Sequence, residues 1–219
     1  MASEDINSSD YVDVQYLQFA KRGPLAIVQS AIGVLFWPLL WPLAMLSRVS
    51  DILFRSLSEF FAMIPYFPGV IIRYEFYRFA LRRCGRNVIF EFGSMFVYAD
   101  IEIGNNVLIG RYCIVHHCNI GNDVLIGERC TFLSGVRQHY FARTDVPMTQ
   151  QGGAKKRITV GDDCWIGSHS IVMEDVADGC VLGAGSVLTQ AIEAYSIAVG
   201  SPARVIRNRK DGAAGQADG

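Results

Sequence analysis

The stretch IEIGNNVLIGRYCIVHHCNIGNDVLIG, residues 101–127, moves forward in steps of about six residues, each opening on an aliphatic side chain and often a glycine. The pairs are Ile103-Gly104, Ile109-Gly110, Val115-His116, Ile120-Gly121 and Ile126-Gly127, followed by Phe132-Leu133. A second block, residues 158–190, repeats the rule at Val160-Gly161, Ile166-Gly167, Val172-Met173, Val176-Ala177, Leu182-Gly183 and Leu188-Thr189. A short fixed period of this kind predicts a β-helix, each step forming one flat side of a triangular coil. The aliphatic residue points into the prism, and the small residue beside it permits a tight corner. Val115 to Ile120 is five residues and Val172 to Val176 is four, so one corner is trimmed in each block.

Between the blocks the rhythm breaks. Ser134-Gly135-Val136-Arg137-Gln138-His139-Tyr140 leads into a polar stretch ending at Arg157, so residues 136–157 form an extruded loop. Interruptions of a solenoid carry function more often than its coils do. His139 stands at the base of this loop. Imidazole gains and releases a proton near neutrality, which suits a general base acting on a hydroxyl.

Composition narrows the classes. A net charge of -1 and the lack of a basic run interleaved with aromatics argue against nucleic acid as a partner. The six cysteines (Cys84, Cys113, Cys118, Cys130, Cys164, Cys180) show no CxxC spacing and read as reduced, structural thiols. A histidine metal site of the kind some β-helix enzymes use is not expected. Five residues beyond His116 and His117 stand Gly121 and Asn122.

The N-terminal part differs in kind. After a polar segment, residues 1–23, the run Pro24 to Ser47 carries no charge and is long enough to cross a bilayer core, which needs roughly 20 apolar residues. An acidic start and the length of the run argue against a signal peptide. Pro38, Pro42, Trp37 and Trp41 equally suit a kinked segment that dips in and returns. Seven arginines from Arg48 to Arg86 oppose Asp51, Glu59 and Glu75, which places the downstream part on the cytoplasmic side. Residues 51–64 and 71–83 read as amphipathic helices broken by Pro65 and Pro68-Gly69, suited to lie on an anionic leaflet. The alternative is a soluble helical cap on the β-helix. Residues 24–85 are thus expected as a helical, membrane-associating region that stops near Gly85. Residues 86–208 form the coil, and residues 209–219 a disordered tail.

The repeats, the loop with its histidine, and the segments ITVGDDCWIGS (158–168), LGAGSVLT (182–189) and VGSPARVIR (199–207) together resemble the hexapeptide-repeat acyltransferases. The branch most similar contains the galactoside, maltose and streptogramin O-acetyltransferases and enzymes that decorate exopolysaccharides. The resemblance implies a mainly β protein, a left-handed parallel β-helix, assembled as a homotrimer with active sites between neighbouring prisms. It implies acetyl-CoA, or another acyl-CoA, as co-substrate and no metal. His139 matches the catalytic histidine. Trp165, Ser168, Ala184, Thr189, Arg204 and Arg207 match acyl-CoA contacts, and His116 and His117 match a step where sugar contacts occur. Gln190 replaces a frequent cation, a phosphate contact that Lys155, Lys156 or Arg209 would then supply. The implied function is O-acyl transfer to a hydroxyl of a glycan or lipid-linked sugar at the inner membrane, with the catalytic part on its cytoplasmic face. N-acylation of an amino sugar and a non-catalytic trimeric scaffold in polysaccharide assembly are the alternatives.

Overall fold

The structure, a computed structural model, describes residues 24–213, with side chains from Gly33 to Asp211. The polar segment 1–23 and the end of the tail lie outside the described residues. Three helices, α1 (Pro24–Ser47), α2 (Asp51–Ala62) and α3 (Tyr66–Ala80), precede a β-solenoid with three parallel faces.

The first face carries Arg83–Cys84, Glu102–Ile103, Cys118–Ile120 and Ile158–Val160. The second carries Val88–Phe90, Val107–Ile109, Leu125–Ile126, Trp165–Ile166, Val181–Leu182 and Ser196–Val199. On the third lie Met95–Phe96, Ile114–Val115, Thr131–Phe132, Ile171–Val172 and Val187–Leu188. The trimmed corners set the coil length. Ile109 pairs with Ile126, 17 residues on, whereas Ile166 pairs with Leu182, 16 residues on. The loop lengthens one coil, so Ile126 pairs with Ile166.

Each aliphatic or Phe residue that opens a step of the two blocks, from Ile103 to Leu188, is buried in the prism. The glycines beside them serve a different purpose from the one expected. A Cβ on Gly104 would lie 2.5 Å from the carbonyl oxygen of Gly121, and one on Gly110 would lie 2.6 Å from the carbonyl carbon of Gly127. They are there because adjacent coils touch backbone to backbone. The left-handed turn falls two residues later, at one corner on Asn106 (φ 56°), Asp123 (φ 57°) and Asp163 (φ 52°), types that tolerate it best, and at the next on Tyr112, Arg129 and His169.

Between these lies a ladder of side chains. The N–H of Asn105 donates to Oδ1 of Asn122, that of Asn122 to Asp162, and that of Asp162 to Asp178. A second column, at the corner from second to third face, uses hydroxyls and thiols alike. Cys113 and Cys130 donate to the carbonyls of Gly127 and Gly167, and Ser170 to that of Gly183. The six thiols are free, as expected, and burial pushes Cys164 up to about 11.

The helices close the prism's open end, and here several expectations change. Pro38 and Pro42 lie inside one continuous α1. Pro68 and Gly69 do not interrupt a helix but sit in the first turn of α3, where a missing N–H costs nothing. That helix is largely buried: Phe76 and Tyr77 extend the apolar filling of the coil, Tyr77 meeting Phe90 and Phe96 at ring centroid distances of 4.7 and 4.8 Å. It is therefore a plug for the coil, not a helix lying on a leaflet. It also stops at Ala80, earlier than Gly85. Gly85 belongs to the coil, its Cβ position 2.3 Å from the Gly104 carbonyl oxygen. Arg48 donates to the Leu81 carbonyl at 2.7 Å, capping the end of α3.

Among the described residues no helix is long and apolar enough to cross a membrane. At the other end, Arg204–Asn208 pair antiparallel with Ser196–Val199, and α4 (Arg209–Ala213) is helical where a disordered tail was expected. Arg209 holds it by donating to the Gly179 carbonyl and to Asp163.

Candidate functional site

The loop leaves the coil at the edge between third and first faces, after Phe132, and rejoins at Ile158. Its base is a hairpin: Lys156 N–H donates to the Ser134 carbonyl, Ala154 to that of Arg137, and Tyr140 to that of Gly152. Gly153 is required there, because a Cβ would lie 1.9 Å from the Gln138 carbonyl oxygen. Lys156 anchors the returning strand on Glu174 and Asp175 of the next coil. His139 rides on this hairpin, exposed, and its imidazole has no hydrogen-bond partner among the described residues.

The same edge gathers polar groups from each coil. Tyr98 stacks on the His117 ring, with centroids 3.8 Å apart and planes 13° from parallel. Lys155 Nζ donates to the Tyr98 hydroxyl at 2.7 Å and lies 5.0 Å from its ring centroid. Arg157 pairs with Asp100, which also lies 3.5 Å from His117 Nδ1. Both His116 and His117 titrate below the ordinary imidazole range. Desolvation is the main cause for each. For His116 the cations Arg55, His117 and Lys155 add to it, while for His117 Asp100 works the other way.

The other candidates lie elsewhere. Trp165 projects from the second face, 56% exposed. Ser168 and Ala184 stack on the edge between second and third faces. The Ser168 hydroxyl accepts from the Glu128 N–H at 3.2 Å, while its own N–H has no partner among the described residues. Thr189 follows the third face. Arg204 and Arg207 are exposed on the final antiparallel strand. One chain therefore brings together His116, His117 and the base of the His139 hairpin on one edge, and Ser168 with Ala184 on another. Within a single prism these two sets do not meet.

Tyr98, Asp100 and Arg157 escaped the sequence reading. The first turn lies within the expected coil of residues 86–208, but the aliphatic pattern starts only at Ile103, because Phe90 and Phe96 take the inward places before it, so the register of that turn went unread. Counting phenylalanines as inward residues, as at Phe132, would have exposed the first turn and Tyr98 at its corner.

The fold and its loop define a parallel β-solenoid with an exposed histidine on an edge hairpin. Two family descriptions match the coil: Bacterial transferase hexapeptide (six repeats), over residues 100–136, and Hexapeptide repeat of succinyl-transferase, over residues 157–190. The chain thus carries hexapeptide repeats like those of bacterial acetyltransferases. A probable acetyltransferase of Mycobacterium tuberculosis is 36% identical over 115 residues, covering 52% of this chain and 32% of that protein. Galactoside O-acetyltransferase of Escherichia coli is 45% identical over 56 residues, 25% of this chain and 28% of the relative. The chain thus spans about a third or less of the length of these curated relatives. A hexapeptide-repeat acetyltransferase structure from Vibrio cholerae superposes with a TM-score of 0.61 at 22% identity, covering 72% of this chain and 92% of that one. That likeness is one of fold.

Proposed function

We propose that this protein is an acyl-CoA-dependent O-acyltransferase, acting with an acetyl donor on a hydroxyl of a glycan or lipid-linked sugar. The observation that carries it is the coil's large interruption, which presents His139 exposed and without a hydrogen-bond partner on a braced hairpin. His139 takes the proton of the acceptor hydroxyl as its oxygen bonds to the thioester carbonyl carbon. The C–S bond then breaks, and CoA leaves as the thiol, taking the proton back from the imidazolium. The unpartnered Ser168 N–H suits the oxyanion of the tetrahedral intermediate. One such donor is typically worth about 3 kcal/mol in the transition state. Cys113, Cys118, Cys130, Cys164 and Cys180 are all buried inside the coil, out of reach of a thioester, so a direct transfer fits better than an acyl-enzyme.

Since the candidate residues occupy two edges of one prism, the site closes when the edge of one copy faces that of another, which is the role of the family's trimer. Membrane attachment fits the apolar surface of the cap. Leu35, Trp37 and Trp41 on α1, with Val49, Ile52 and Phe60 at or on α2, are exposed. An enzyme held at the cytoplasmic surface of the inner membrane meets a lipid-linked acceptor at raised local concentration.

The test is release of CoA thiol from acetyl-CoA with glycan acceptors, by the native protein and by His139→Ala. Acceptor-dependent release that persists in the variant overturns the general-base role, and a base-stable product indicates an amide in place of the ester.

A further inference from the structure

Two adjacent lysines at the foot of the loop are used in opposite ways. Lys156 is neutralised by Glu174 and Asp175. Lys155 meets no carboxylate; its partner is the neutral hydroxyl of Tyr98, so its ammonium keeps two protons to donate. Tyr98 is itself held flat against His117, which fixes where Lys155 ends. On α2, whose Ser58 hydroxyl accepts from the Phe96 N–H of the third face two residues before Tyr98, Arg55 is exposed and has no ion pair or hydrogen bond among the described residues.

Carboxylates are present but engaged or distant. Asp100 is shared by Arg157 and His117, and Asp51 acts weakly on His117. Half-buried His116 lies 6.4 Å from the Tyr98 ring that Lys155 also meets, and the lasting charges acting on it, Arg55 and Lys155, are both positive. This corner is therefore a concentration of unneutralised positive charge, carrying N–H donors and an aromatic stack, beside the hairpin of His139. Charge-assisted donors gathered in this way suit a phosphate.

We infer that Lys155, Arg55 and His116, braced by the Tyr98–His117 stack, bind a phosphate or diphosphate group on the acceptor. The acyltransferase reading enters only in what that anion is attached to; the anion site itself is measured without turnover. A phosphorylated sugar carrier, soluble or lipid-borne, is thereby favoured over a neutral free sugar.

The experiment is calorimetric titration of inorganic pyrophosphate into the full chain. The protein is first saturated with CoA, so that Arg204 and Arg207 are occupied if they serve its phosphates. Binding should weaken about tenfold or more in Lys155→Met and, separately, in Arg55→Gln, and be largely kept in Lys155→Arg. Arg111→Ala, which removes a cation from another edge, should leave it unchanged; circular dichroism controls for folding. No binding, or equal binding in native, Lys155→Met and Arg55→Gln proteins, overturns the inference, as does an equal loss in Arg111→Ala. Displacement of pyrophosphate by vesicles containing phosphatidic acid, but not by phosphatidylcholine alone, assigns the anion to a lipid. Its absence assigns the anion to a soluble carrier. His139→Ala should keep pyrophosphate binding whatever its turnover, so the anion site and the catalytic reading fail separately.

Discussion

The coil and its helical cap share one apolar interior but are held together in opposite ways. The coil repeats a few modest devices: touching glycines, the Asn105–Asp178 ladder, and the column of serine and cysteine donors. No single member is decisive, because the turns above and below supply the same bonds. The cap is tied by a few unrepeated contacts, the Ser58 hydroxyl between Tyr77 and the Phe96 N–H, Arg48 at the end of α3, and above all Arg73. Arg73 is fully buried without an acid partner, and desolvation lowers its pKa. It donates to three carbonyls within 3.2 Å, those of Phe61 and Ile64 at the α2–α3 link and of Phe90 in the first turn of the coil, and at 3.5 Å to that of Ala62. Repetition spreads stability evenly, while a unique junction concentrates it.

The sharpest way to break this contrast is Arg73→Leu. The Phe61 and Ala62 carbonyls keep backbone donors from Ile64 and Gly93, so the cost falls on those of Phe90 and Ile64, at roughly 1–3 kcal/mol for each group left unsatisfied, and the loss should be about 3 kcal/mol. Urea unfolding measures it, and amide exchange should quicken in α2 and α3 before it does in the coil. A change below about 1 kcal/mol would remove the distinction. Next comes His139→Ala. Turnover should fall by about 100-fold, while stability shifts by less than about 0.5 kcal/mol, since the hairpin stands outside both coil and cap. A large stability loss would make His139 structural. Smaller again is Gly104→Ala, whose Cβ must displace the Gly121 carbonyl, costing about 2 kcal/mol at one corner. The same loss in α2 and α3 exchange as in the coil would show that the two regions unfold as one.

The same contrast explains what was legible in the sequence. Ile103 through Leu188 announce the coil because a stacked prism demands the same inward residue at each step, and the trimmed corners reappear as turns of 17 and 16 residues. The uncharged run Pro24–Ser47 coincides with α1. Arg73 offered no such pattern: an arginine in an apolar helix reads as a membrane-surface cation until the three carbonyls it serves are seen. His139 was legible through position, as the histidine at the break. The Tyr98–Lys155 contact was not, since 57 residues and an irregular loop separate its partners. Adjacency across coils depends on register, and the phenylalanines of the first turn hid that register.

The smallest effect probes where cap and coil touch electrically. His116 belongs to the coil, yet Arg55 of the cap helps to hold its pKa below the ordinary imidazole value, after desolvation. With the folded pKa depressed, the unfolded chain binds the proton first as pH falls. The contribution of His116 is therefore full above about pH 6.5, the unfolded imidazole value, and is lost as pH drops through the folded pKa. The midpoint of urea unfolding should decline modestly from pH 7 to pH 5, and His116→Gln should flatten part of that decline. Arg55→Gln removes one positive charge and should raise the His116 pKa, read from its ring proton shifts. An unmoved titration in Arg55→Gln would mean that the cap exerts no field on the coil. The two regions would then meet only through packing around Arg73 and Tyr77.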